Sequence, residues 1–145
     1  MRQYKQDKIN PDIPGVILLS HGPFAAALVE TANMVFGESE NVAALCFEEG
    51  DDADEYRKEA TKIIESYPEN SVIILDLFGG TPCNQMLRYA QETNSLLNII
   101  AGMNLPMLLQ VLTTREDKSG QDFIDDIKEN AQKGIIAIDM KEFLS

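Results

Sequence analysis

Residues 16–22 read Val16-Ile17-Leu18-Leu19-Ser20-His21-Gly22: four apolar residues followed at once by a hydroxyl, an imidazole and a glycine. An apolar run this short and unbroken fits a strand covered on both faces, and such strands occur in parallel sheets sandwiched between helices. The pattern recurs. Residues 42–47, 72–75, 96–100 and 135–138 are further short apolar runs, and segments of helical periodicity at 24–36, 51–67, 81–92, 106–113 and 121–133 separate them. The predicted order is β-α-β-α-β-α-β-α-α-β. Strands separated by helices cannot pair as hairpins, so the expected fold is a three-layer α/β/α domain, doubly wound, around a mostly parallel sheet of about five strands.

Local signals place the element ends. Gly37 stands where the first helix needs a C-terminal cap, and Asp51-Asp52 put acids at the positive end of the second, with Pro68 beyond its other end. Thr81 is expected to cap the helix that follows residues 72–75, with Pro82 in its first turn, where the missing N–H costs nothing. Ahead of the first apolar run, residues 1–14 form a polar leader that ends in the turn-rich Pro11-Asp12-Ile13-Pro14-Gly15. One domain over residues 15–145 is expected, and the sequence leaves the order of the leader open.

The chain has 145 residues, 24 acidic against 12 basic, for a formal charge of -12. This charge argues against nucleic acid as a ligand, because its binding depends on Lys and Arg neutralising phosphates. An acidic surface serves either a basic protein partner or solubility alone, and both readings stand on composition. The two cysteines, Cys46 and Cys83, have no metal-ligand spacing and read as free thiols of a reducing compartment. No stretch approaches the length of a membrane span, so a cytoplasmic protein is expected. Met34, Met86, Met103 and Met107 read as core filler.

In a doubly wound sheet the functional residues lie just past the carboxyl ends of the strands, where the strand order reverses. Two polar residues directly follow buried runs: His21, the only histidine, and Asp76 after residues 72–75. If their strands are neighbours, the two side chains meet. A carboxylate on one ring N–H fixes the tautomer, leaves the other nitrogen's lone pair free, and stabilises positive charge developing on the ring, which makes a nucleophile. The bland alternative is a histidine held at a strand end by a structural hydrogen bond.

After Asp76, Leu77-Phe78-Gly79-Gly80-Thr81-Pro82 places two glycines between a strand end and a helix start, so backbone N–H groups and a helix N-terminus can approach an anion. A Gly-Gly pair at such a place also serves as a plain tight turn. Gly22-Pro23 opens the first helix at the same edge. Phe24 reads equally as an apolar contact for a partner or as a core residue. Ser20 and Cys83 are the only other nucleophile candidates nearby, and Cys83 fits a packed thiol better.

With these residues assembled, the chain resembles the mannose-family IIA domain of the bacterial phosphoenolpyruvate-dependent sugar phosphotransferase system. The likeness spans about residues 15–112. It is carried by Val16 to Gly22, Gly37-Glu38-Ser39-Glu40-Asn41-Val42, Glu49-Gly50-Asp51-Asp52, Asp76 to Asn84 and Gly102-Met103-Asn104-Leu105-Pro106-Met107. The resemblance implies that His21 takes a phosphoryl group from the carrier protein HPr, oriented by Asp76, and hands it to the IIB component of a transporter. It implies phosphoryl contacts at Gly22, Gly79, Gly80 and Thr81, partner contacts at Phe24 and Asn104, a homodimer, and no metal or cofactor. The kindred reading within the fold is a phosphocarrier for dihydroxyacetone phosphorylation. A regulatory module switched by His21 phosphorylation is the rival from another class, and a hydrolase built on His21 and Asp76 is a third reading.

Overall fold

A computed structural model describes residues Met1–Ser145. Five strands form one sheet in the order β1-β3-β2-β4-β5. They are β1 (Arg2–Tyr4), β2 (Val16–His21), β3 (Val42–Phe47), β4 (Val72–Leu75) and β5 (Asn98–Ala101). All neighbours run parallel except β1, which lies antiparallel to β3. The helices are α1 (Phe24–Phe36), α2 (Ala53–Ser66), α3 (Gly80–Thr93), α4 (Leu105–Thr114), α5 (Gly120–Lys133) and a short α6 (Met140–Leu144).

The unbroken apolar character of β2 follows from its central place, since its successive side chains enter two different cores. Val16 and Leu18 face one with α1, α4 and α5, and Ile17 and Leu19 face another with α2 and α3. All four are fully buried. At roughly 1.5–3 kcal/mol for each large apolar side chain, these layers dominate the stabilisation of the sheet. Asp52 caps α2 by accepting from the Glu55 N–H at 3.0 Å, as the acidic pair predicts. Gly37, with φ near 91°, ends α1.

The structure differs from the sequence reading in four places. Residues 135–138 form no strand and lie exposed: their three isoleucines signal a surface to be covered, but nothing within the chain covers them. The fifth strand is instead β1, inside the polar leader. Three residues with little hydrophobic pattern suffice there because an edge pairing is made by backbone groups. The leader is fastened further by the Asn41 side chain, which donates to the carbonyl oxygens of Asn10 and Ile13 and accepts from the Asn10 N–H. Met34 is 89% exposed and fills no core, whereas Met86, Met103 and Met107 are buried. Finally, Thr81 does not cap α3. The cap falls two residues earlier, on Gly79, because Gly79 and Gly80 both take positive φ, 85° and 76°, a turn that residues with a Cβ rarely adopt.

Candidate functional site

β2 sits where the strand order reverses, with β3 on one side and β4 on the other. His21 ends β2 and Asp76 directly follows β4, so the parallel register of these strands brings the two side chains to the same edge. They meet: His21 Nδ1 lies 2.8 Å from Asp76 Oδ2. The same oxygen accepts the backbone N–H of His21 at 2.9 Å, while Oδ1 accepts that of Leu77 at 2.9 Å. Three N–H groups therefore converge on one carboxylate. Its side chain is only 9% exposed, against 42% for that of His21. The anionic carboxylate accepts at Nδ1, so that nitrogen carries the proton and Nε2 keeps its lone pair.

Gly80 lies against the other end of the ring. A Cβ added at this glycine would sit 2.7 Å from His21 Cε1 and 3.0 Å from Nε2, closer than such atoms approach. Only a glycine lets the first turn of α3 come this near the imidazole. The N–H groups of that turn have no carbonyl four residues back within the helix and are aligned with its positive end, so α3 presents anion donors beside Nε2. Thr81 is half-buried in the same turn.

The N-terminus of α1 contributes less than its position promises. Ser20 is fully buried and its Oγ accepts the Ala25 N–H at 2.8 Å, doing the capping that Pro23 cannot. That hydroxyl is thereby engaged, which removes Ser20 as an exposed nucleophile. Gly22, at φ 57°, donates its N–H to the Phe47 carbonyl at 2.8 Å, so it shapes the turn after the histidine without offering that donor to a ligand. Cys83 is buried, as a packed thiol. Asn104 caps α4, accepting the Met107 N–H at 2.9 Å, and belongs to the same edge because the N–H groups of Gly102 and Met103 both donate to the Leu75 carbonyl.

Of the two readings of Phe24, exposure at the start of α1 favours the surface one: 43% of the residue is accessible. Sequence reasoning missed Leu77 and Phe78, which stand exposed in the loop between Asp76 and the glycine pair, Phe78 at 81%. The signal was available, because two large apolar residues in a strand-to-helix loop have no core to enter. Across the sheet edge from them lies the acidic loop Glu48-Glu49-Gly50-Asp51-Asp52 after β3. The histidine thus stands between an apolar patch and a negative one.

Fold and site together define a class: a doubly wound α/β domain built around one carboxylate-held histidine at the switch point. The family EIIA-man, described as "PTS system fructose IIA component", matches residues 15–128, and the chain belongs to it. A fructose-specific EIIA component of the phosphotransferase system from Bacillus subtilis (strain 168) is 33% identical over 120 residues, covering 81% of this chain and 82% of its own length. The mannose-specific EIIAB component of Escherichia coli (strain K12) is 29% identical over 131 residues. That match covers 87% of this chain and 40% of the relative. The crystal structure of EIIA from Streptococcus agalactiae superimposes with a TM-score of 0.79 over 86% of this chain and 97% of that one, at 23% identity, and shares the fold. The protein is therefore an EIIA-type component of a sugar phosphotransferase system, a family that works with phosphocarrier and IIB components. No helix is long and apolar enough to cross a membrane.

Proposed function

We propose that His21 accepts a phosphoryl group from phosphorylated HPr and passes it to the IIB component of a sugar transporter. The observation that carries this reading is the Nδ1···Oδ2 contact of 2.8 Å between His21 and Asp76, which leaves Nε2 beside the α3 N-terminus as the nucleophilic nitrogen. The Nε2 lone pair attacks phosphorus and forms the new N–P bond. The donor's N–P bond breaks, and its imidazole keeps that electron pair. Positive charge gathering on the His21 ring is met by Asp76, while the phosphoryl oxygens are met by the backbone N–H groups of Gly79, Gly80 and Thr81. No proton has to leave Nδ1. Transfer to IIB is the same exchange in reverse, with the acceptor's nucleophile attacking from the exposed side.

Phe24, Leu77 and Phe78 offer apolar contact, and the acidic loop after β3 offers charge, to a carrier presenting a basic and apolar face. Such complementarity speeds short-lived encounters more than it tightens them. The test is a relay: HPr charged from phosphoenolpyruvate, then this protein, then candidate IIB proteins, with label moving onto one of them. Label that enters the protein and leaves only to water would refute the transport role. A homodimer fits two further observations: β5 is paired on one side only, and Ile135, Ile136 and Ile138 are exposed in the adjoining segment. Analytical ultracentrifugation is expected to show a two-copy species, and a single-copy species at micromolar concentration would remove it.

A further inference from the structure

Asp76 alone does not fix the imidazole. One hydrogen bond holds one nitrogen of a half-exposed ring, and coupled rotation about the Cα–Cβ and Cβ–Cγ bonds can still tilt that ring and swing Nε2. Gly80 limits the swing from the β4 side. On the β3 side stands Phe47, the register partner of His21, whose ring meets the imidazole edge-on at a centroid distance of 6.3 Å and an interplanar angle of 83°.

Phe47 is itself backed. The Tyr56 ring packs against it at 5.3 Å and 82°, again edge to face. Tyr56 is fully buried on α2, and its hydroxyl donates to the Leu45 carbonyl at 2.8 Å, which ties the backing ring to the strand that carries Phe47. Aromatic pairs of this geometry have a preferred orientation, unlike aliphatic contacts, which fill space without fixing an angle.

We propose that Phe47, held by Tyr56, is a positioning residue for phosphoryl transfer: its ring walls the His21 imidazole on the β3 side so that Nε2 keeps one line of attack. This rests on the reading of His21 as the phosphoryl acceptor. Misplacing a reacting atom by a fraction of an ångström to 1 Å costs roughly ten- to a hundredfold in rate.

Full-length Phe47→Leu, Phe47→Met and Phe47→Tyr would be compared with the natural chain in transfer from phosphorylated HPr. The ring resonances of unphosphorylated His21 would be followed by NMR. Ile63→Val, in the same core cluster but away from the histidine, controls for lost stability. Both aliphatic variants are expected to lower the maximal transfer rate about tenfold at unchanged KM for HPr, with shifted His21 ring signals and faster exchange of the Nδ1 proton. Phe47→Tyr is expected to restore rate and signals, and Ile63→Val to change neither. If Phe47→Leu does not fold, Phe47→Met carries the comparison. An aliphatic variant with natural rate and unmoved resonances overturns the proposal, as does an Ile63→Val variant slowed equally. Failure of the natural chain to be labelled at His21 sinks the underlying reading instead, while the NMR arm still decides whether Phe47 holds the ring.

Discussion

Asp76→Asn removes one negative charge and almost no volume, and the consequences follow from three hydrogen bonds. In the natural protein Oδ2 accepts from the backbone N–H and Nδ1 of His21, and Oδ1 accepts from the Leu77 N–H. An amide offers one oxygen. If it faces His21, both bonds to the histidine persist and the NH2 group confronts the Leu77 N–H, donor against donor. If it faces Leu77, two donors confront the NH2 group and the ring proton is driven to Nε2, where it blocks attack. The first orientation loses one bond instead of two and should prevail. The tautomer then survives, but the ring loses the charge that stabilises it as the N–P bond forms.

A hydrogen bond to a charged group is worth about 1.5–3 kcal/mol, and the charge matters most in the transition state. A loss of about 3 kcal/mol corresponds to roughly a hundredfold in rate. Leu77 is half exposed, so water can take over its N–H. Stability should fall by only about 1 kcal/mol, or a few degrees in Tm. Rapid-quench single turnovers with radiolabelled phospho-HPr would measure the rate, and circular dichroism the fold. A folded variant transferring within threefold of the natural rate would show that Asp76 does not serve the chemistry.

Gly80→Ala places a methyl group 2.7 Å from His21 Cε1 at a residue with φ of 76°. Transfer should slow at least tenfold, with about 1–2 kcal/mol lost in urea titration, and an unchanged rate would refute the close approach. Phe78→Ser, at an 81% exposed position, should raise KM for HPr several-fold with kcat and Tm unchanged. An unaltered KM would remove the apolar patch from docking. Burial pushes the Tyr67 phenol up to about 12, against an ordinary value near 10. The folded state therefore favours the neutral phenol. Its contribution is intact below pH 10 and is lost between about pH 10 and 12. Tyr67→Phe should flatten the stability curve over that window, and an equally steep curve would assign the alkaline loss elsewhere.

What the sequence revealed and what it concealed have the same physical origin. β2 and β4 are legible because a strand buried on both faces must be continuously apolar, and the switch-point rule then places His21 beside Asp76 without any distance information. β1 is not legible, because Arg2-Gln3-Tyr4 pairs through backbone groups at an edge and needs no pattern. The run at 135–138 carries a strand's pattern, but a pattern reports that a surface wants covering and not which chain covers it. Met34 misleads in the same way. The glycine pair was legible as a turn, yet its closest consequence, the contact of Gly80 with the imidazole, requires a fold to bring β4 beside β2. Phe47, 26 positions from the histidine, becomes its neighbour only through strand register.

The most direct test of His21 as phosphoryl acceptor is phosphorylation by HPr charged from phosphoenolpyruvate, with the site and attached nitrogen read by NMR. One acid-labile phosphoryl group per chain is expected, on Nε2 of His21, and none on His21→Ala. Label persisting in His21→Ala, or attached to Nδ1 of the natural protein, would contradict that role.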